Sequence, residues 1–156
     1  MEQVVPGQIA HAGTFNANPL SISAGLVTLT KILTRPAVRH AQRIGQDLAK
    51  GYADVIEDHG LPMRVQAGGI SGTVHFARGP VRDWRSFQEV DVGAWWGYYT
   101  AMLNRGVIPM ATGPDEQWTA SVAHTKGDVA RHLEAFEDVA EGVKQGQAAM
   151  SLVEAV

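Results

Sequence analysis

The chain has 156 residues, a mass of 16.8 kDa, 45% hydrophobic residues, no cysteine and a formal net charge of −3. This is one domain's length with enough apolar material for a core, and it excludes disulfides, thiol chemistry and the basic footprint of a nucleic-acid binder. No run reaches the roughly 18 apolar residues of a membrane span, and Met1-Glu2-Gln3 opens no secretory signal, so a cytoplasmic chain without membrane or nucleic-acid partners is expected.

Residues 1–18 are polar and rich in Gly and Asn, and read as an extended arm. Asn18 followed by Pro19 predicts a helix start, and the helix runs to about Leu33 through Ser21, Ser23, Ala24 and Gly25 with little amphipathic contrast. Pro36 restarts a second helix, whose apolar stripe is Ala41, Ile44, Leu48, Tyr52 and Val55. Gly60 is its left-handed stop, with Pro62 beyond. Segments 64–67 and 72–77 predict two strands joined at Gly68-Gly69, with Val74 and Phe76 facing in and Thr73 and His75 facing out.

After Gly79-Pro80 and a charged loop, Val92, Trp95, Trp96, Tyr99, Met102 and Leu103 mark a third helix from about Glu89, ended by Gly106. Short strands are predicted over 107–109 and 119–123. Thr125 with Asp128 resembles a capping signal, and Val129, Leu133, Phe136, Ala140 and Val143 define a last amphipathic helix. The tail after Gly146 is weakly patterned. The order predicts an α+β fold in which helices cover a small, mainly antiparallel sheet. Its divisions are an arm over 1–18, an α+β domain over 19–146 and a tail over 147–156.

The chemistry-bearing residues give few sharp signals by themselves. The six histidines (11, 40, 59, 75, 124 and 132) show no HExxH or HxH spacing, so no metal site is expected. Ser71-Gly72-Thr73 lacks the surroundings of a nucleophile elbow and reads as a turn. The run Trp95-Trp96-Gly97-Tyr98-Tyr99 reads as core or interface rather than a stacking platform. In Gly13-Thr14-Phe15-Asn16-Ala17-Asn18-Pro19, glycine permits close backbone approach and threonine offers a hydroxyl beside a helix start. That is a possible anion site or an ordinary helix cap.

The segment Gly13-Thr14-Phe15-Asn16-Ala17-Asn18-Pro19-Leu20, continued by Ala24-Gly25, resembles the GT-x-x-x-NP-x-x-x-x-AG segment of class III pyridoxal-phosphate aminotransferases. Gly69-Ile70-Ser71-Gly72, Gly79-Pro80-Val81 and Asn104-Arg105-Gly106-Val107 extend the resemblance. Glu116 with Ser121-Val122-Ala123-His124-Thr125 is similar to the ending of glutamate-1-semialdehyde 2,1-aminomutases. The resemblance implies a fold-type I homodimer holding pyridoxal phosphate at the subunit boundary. It also implies that Gly13 and Thr14 reach the phosphate in the partner's site and that Glu116 borders the substrate, a small amino acid or amine. Glu116 reads equally as a solvated loop residue after Gly113-Pro114-Asp115.

Members of that family carry the Schiff-base lysine, which moves protons during amino transfer, upstream of the Gly-Thr segment. Here only eleven residues precede Ala12, and Lys31, Lys50, Lys126 and Lys144 all follow it. The resemblance therefore covers roughly the family's last third. It implies a chain that does not transaminate alone and acts as part of a homodimer or with a cofactor-bearing subunit. A non-catalytic module docking on such a subunit and a truncated reading frame are the rival readings.

Overall fold

The computed structural model describes residues 13–109, 113–115 and 118–154. The chain divides into two compact units after Ala37.

In the first unit, α1 (Pro19–Val27) continues into a π-helical turn over Thr28–Ile32. Asn18 caps α1, its side-chain oxygen accepting from the Leu20 and Ser21 amides at 3.0 and 3.3 Å. The Thr28 and Thr30 hydroxyls bond back to the carbonyls of Ala24 and Leu26 at 2.9 and 2.6 Å. Such back-bonding loosens the helical ladder, and here it accompanies widening to the Leu33 N–H to Thr28 C=O bond. No residue of α1 or of the turn is buried, so the low amphipathic contrast predicted for this helix matches a segment with no core face.

The second unit is built on α2 (Arg35–His59), whose stripe of Ala41, Ile44, Leu48, Tyr52 and Val55 is buried as predicted. Gly60, at φ +62°, ends the helix. β1 (Arg64–Gly68) and β2 (Ser71–His75) form an antiparallel hairpin in which Val65 faces Val74 and Gly68 faces Ser71. The turn is therefore Gly69-Ile70 rather than Gly68-Gly69, and Gly69 adopts φ +62°, which glycine provides at the first position of a two-residue hairpin turn. α2 crosses close above it. A Cβ on Gly45 would come within 3.0 Å of the Gly69 carbonyl oxygen.

Four further predictions need correction. His75 is buried, not outward-facing: Phe87 of the short helix α3 (Trp84–Phe87) covers that side of β2, its ring edge-on to the imidazole. In α4 (Val92–Leu103) the core face is Trp95, Tyr98 and Met102, while Trp96 is 47% exposed. The i, i+3, i+7 row wins, and the neighbouring aromatics obscured it. Residues 107–109 pair with no strand, because the Val107 amide turns back to the Met102 carbonyl. Of 119–123 only Thr119 pairs, within β3 (Trp118–Thr119), after which the chain turns sharply at Ser121–His124.

The sheet order is β1-β2-β3, all antiparallel. The last helix, α5 (Lys126–Glu154), runs past Gly146. Its Phe136, Val139 and Ala140 join Tyr52, Val74, Trp95 and Met102 in the core. Helices thus cover a small antiparallel sheet, as the sequence predicts.

Candidate functional site

The Gly13–Asn18 segment is a tight turn leading directly into α1. The Asn16 amide bonds the Gly13 carbonyl at 3.1 Å, and the Asn18 amide bonds that of Phe15 at 3.2 Å. A Cβ on residue 13 would meet the Asn16 side-chain amide oxygen at 2.8 Å, so glycine here leaves room for the Asn16 side chain. Ala17 sits at φ +59°, a left-handed conformation that costs a non-glycine residue about 1–2 kcal/mol. Thr14 is exposed, and among the described residues its hydroxyl has no hydrogen-bond partner. A free hydroxyl beside a glycine without side-chain bulk fits the phosphate end of pyridoxal phosphate, whereas the first amides of α1 are already taken up by Asn18.

Among the lysines whose side chains are described, none supplies anything comparable. Lys50 pairs with Asp54 at 2.5 Å on the exposed side of α2, and Lys31 lies exposed on the π-helical turn. Lys126 opens α5. Glu116 lies outside the described residues. Of the site residues expected from the sequence, the structure therefore describes Gly13 and Thr14.

A second group of polar residues was not legible in the sequence. The Tyr52 hydroxyl, fully buried, lies 2.5 Å from that of Tyr98 and 2.6 Å from His132 Nε2. Trp118 stacks on the Tyr52 ring at 5.3 Å with an interplanar angle of 3°. Burial pushes the Tyr98 hydroxyl up to about 12 and the His132 imidazole down to about 4. A neutral His132 can accept from Tyr52, whose oxygen then accepts from Tyr98. His132 and Trp118 border a groove of about 470 Å³ whose rim carries His124, Asp128 and Arg131. Tyr52 was visible as a core position, but nothing in the spacing linked it to residues 46 and 80 positions away.

The segment Ser121–Thr125 is tied by its own side chains. His124 Nδ1 receives the Ser121 backbone N–H and lies equally close, at 2.9 Å, to the Ser121 hydroxyl. His40 Nε2, from α2, donates to the His124 carbonyl at 2.8 Å. Asp128 accepts from the Thr125 amide and hydroxyl, both at 2.8 Å, which holds its carboxyl below the usual range. The predicted capping signal is therefore present.

No family model matches the chain. It is 33% identical over 148 residues to the glutamate-1-semialdehyde 2,1-aminomutase of Thermomicrobium roseum, covering 94% of this chain and 34% of that one. It is 34% identical over 141 residues to the aminomutase of Thermus thermophilus, covering 87% and 32%. The chain matches the C-terminal part of glutamate-1-semialdehyde 2,1-aminomutases. It spans about a third of the length of the curated relatives it matches.

Solved structures agree on the fold. An omega-transaminase from Sphaerobacter thermophilus superposes with a TM-score of 0.69 at 26% identity, over 87% of this chain and 31% of its own. A glutamate-1-semialdehyde aminomutase from Pseudomonas aeruginosa, solved with PMP, gives a TM-score of 0.73 at 24% identity, over 88% and 31%. The α+β arrangement is thus that of the corresponding part of aminotransferase structures. Among the described residues, no helix is long and apolar enough to cross a membrane.

Proposed function

We propose that this chain forms the C-terminal portion of a class III pyridoxal-phosphate enzyme of the aminotransferase and aminomutase type. The observation that carries the reading is the 148-residue match to aminomutases, which takes in the Gly13–Thr14 turn and the Ser121–Thr125 segment. When bound in such enzymes, the cofactor acts as an electron sink for amino-group chemistry. This chain's share is to hold the cofactor phosphate. Gly13 allows close backbone approach, and the Thr14 hydroxyl donates to a phosphate oxygen across a homodimer boundary. Glu116 borders the substrate, where its carboxylate repels a second carboxylate and favours a semialdehyde or a simple amine.

The lysine that attaches the cofactor covalently is supplied from outside these 156 residues, by more of the same polypeptide or by a cytoplasmic partner subunit. Pyridoxal phosphate added to the purified chain should therefore give no saturable, borohydride-fixed adduct on one lysine, as judged by mass spectrometry. Stoichiometric labelling of a single lysine would refute that assignment. Co-expression with the lysine-bearing two-thirds of an aminomutase relative should restore cofactor retention. Thr14→Ala should weaken that retention about tenfold, the cost of one hydrogen bond to a charged group. Unchanged retention in this variant would remove Thr14 from the phosphate site.

A second reading has one observation in its favour. Leu20, Ile22, Leu26 and Leu29 of the first unit are each more than half exposed, as expected of a non-catalytic module whose helix docks on a cofactor-bearing subunit. The two readings separate on activity. A reconstituted pair that binds tightly yet neither retains cofactor nor turns over amines supports the docking module.

A further inference from the structure

The motif Ser121-Val122-Ala123-His124-Thr125 has no role in the phosphate site, yet its side chains bond one another. We propose that His124 is a positioning residue, a latch whose Nε2–H tautomer holds the Ser121 amide in the turn between β3 and α5 and whose protonation on Nδ1 releases that amide. The tautomer follows from the bonds. His124 Nδ1 accepts the Ser121 backbone N–H at 2.9 Å, so that nitrogen carries no proton and the neutral ring must carry it on Nε2. The Ser121 hydroxyl lies at the same distance from Nδ1 and also receives the Ala123 amide at 3.3 Å.

Adding a proton to Nδ1 sets it against the backbone N–H. The hydroxyl can rotate to accept it, but the amide cannot, so the Ser121 amide loses its partner. The turn matters because of its neighbours. The Ala120 amide, next to the latch, bonds the Ile70 carbonyl of the hairpin turn at 2.7 Å, and His40 fixes the His124 carbonyl to α2 at 2.8 Å. Trp118, two residues before Ala120, stacks on Tyr52. The latch thus joins the end of β3 to α2 and to the start of α5.

Among the described residues, the titratable and charged groups that line the same groove as His124 are Asp128, Arg131 and His132 of α5, and His40 of α2 bonds the His124 carbonyl. β3 contributes none. His132, burdened by burial, stays neutral until lower pH.

The test uses the full chain. Long-range 15N–1H correlation should show the His124 Nδ1 as the unprotonated nitrogen of the neutral ring. Protection of the Ser121 amide against hydrogen exchange, corrected for the intrinsic rate, should fall about tenfold as the pH is lowered, the loss expected for one backbone bond. His124→Asn places a non-titrating acceptor near the Nδ1 position, so Ser121 protection should become independent of pH. His124→Ala should lack that protection throughout. A neutral ring protonated on Nδ1 would overturn the proposal, and that measurement requires no variant. Ser121 protection that stays constant across the wild-type titration, or survives in His124→Ala, would overturn it equally.

Discussion

Gly72→Ala is expected to destabilise the second unit by about 3 kcal/mol, lowering the thermal midpoint by roughly 10 °C. A Cβ at this position would stand 2.0 Å from the Trp118 ring. The indole has nowhere to go: it is 7% exposed, pairs with Gly72 in the sheet register and lies flat on Tyr52. Relief requires β3 to leave β2 or the stack to open, and either exposes core.

Gly51 provides the contrast. Its Cβ would approach Leu133 Cδ1 at 2.1 Å, but Leu133 is only partly buried and its flexible end can rotate away. Alanine in mid-helix also gains about 1 kcal/mol over glycine, which offsets the crowding. Gly51→Ala should therefore stay within about 1 kcal/mol of the parent in urea unfolding. Equal losses in both variants would mean that crowding at Trp118 is not what distinguishes them.

The second large effect is a loss of stability in mild acid. In the folded chain the His132 imidazole is pushed down to about 4 from an ordinary 6.5, mainly by burial. The unfolded chain thus binds a proton that the folded chain refuses, and stability must rise with pH in this window. The His132 contribution is complete above pH 6.5 and is lost progressively as pH falls through 4. At about 1.4 kcal/mol per pH unit it reaches roughly 3 kcal/mol at the acid end. His75, also lowered by burial, adds in the same direction. Asp83 and Asp128 have lowered carboxyls and respond only below their ordinary 3.8, beneath most of this window.

Urea midpoints measured from pH 7.5 down to 4.5 should decline steeply. His132→Gln keeps an acceptor for Tyr52 without a titrating ring, and should flatten most of the slope. A wild-type curve that is already flat over this range would contradict the assignment.

What the sequence disclosed depends on how locally each feature is determined. The stripe from Ala41 to Val55, the stop at Gly60 and the Asn18 cap follow from neighbours within a turn or two, and each is present in the structure. The burial of His75 was not legible because its cover, Phe87, lies in a four-residue helix too short to leave a periodic signal. In α4, five adjacent aromatic or small residues satisfied two helical faces at once, and contact with the sheet and α5 chose between them. The Gly13–Thr14 turn was legible as a motif, and the structure adds a free hydroxyl and a glycine that leaves room for the Asn16 side chain. The Tyr52–Tyr98–His132 cluster joins three helices and exists only after they pack.

The first unit's helix has a kinetic side. A helical stretch of nine residues plus one widened turn of five lies within the roughly 12–15 residues at which isolated helices are no more than marginal in water. It has an N-terminal cap and no buried face to extend its lifetime, so in the free chain it forms and melts within microseconds. A partner that seats Leu20 or Leu26 would meet the segment partly unfolded and would set the ordering of the adjoining Gly13–Thr14 turn by its own arrival. Folding of the Gly13–Thr14 turn and docking of that partner then become a single event.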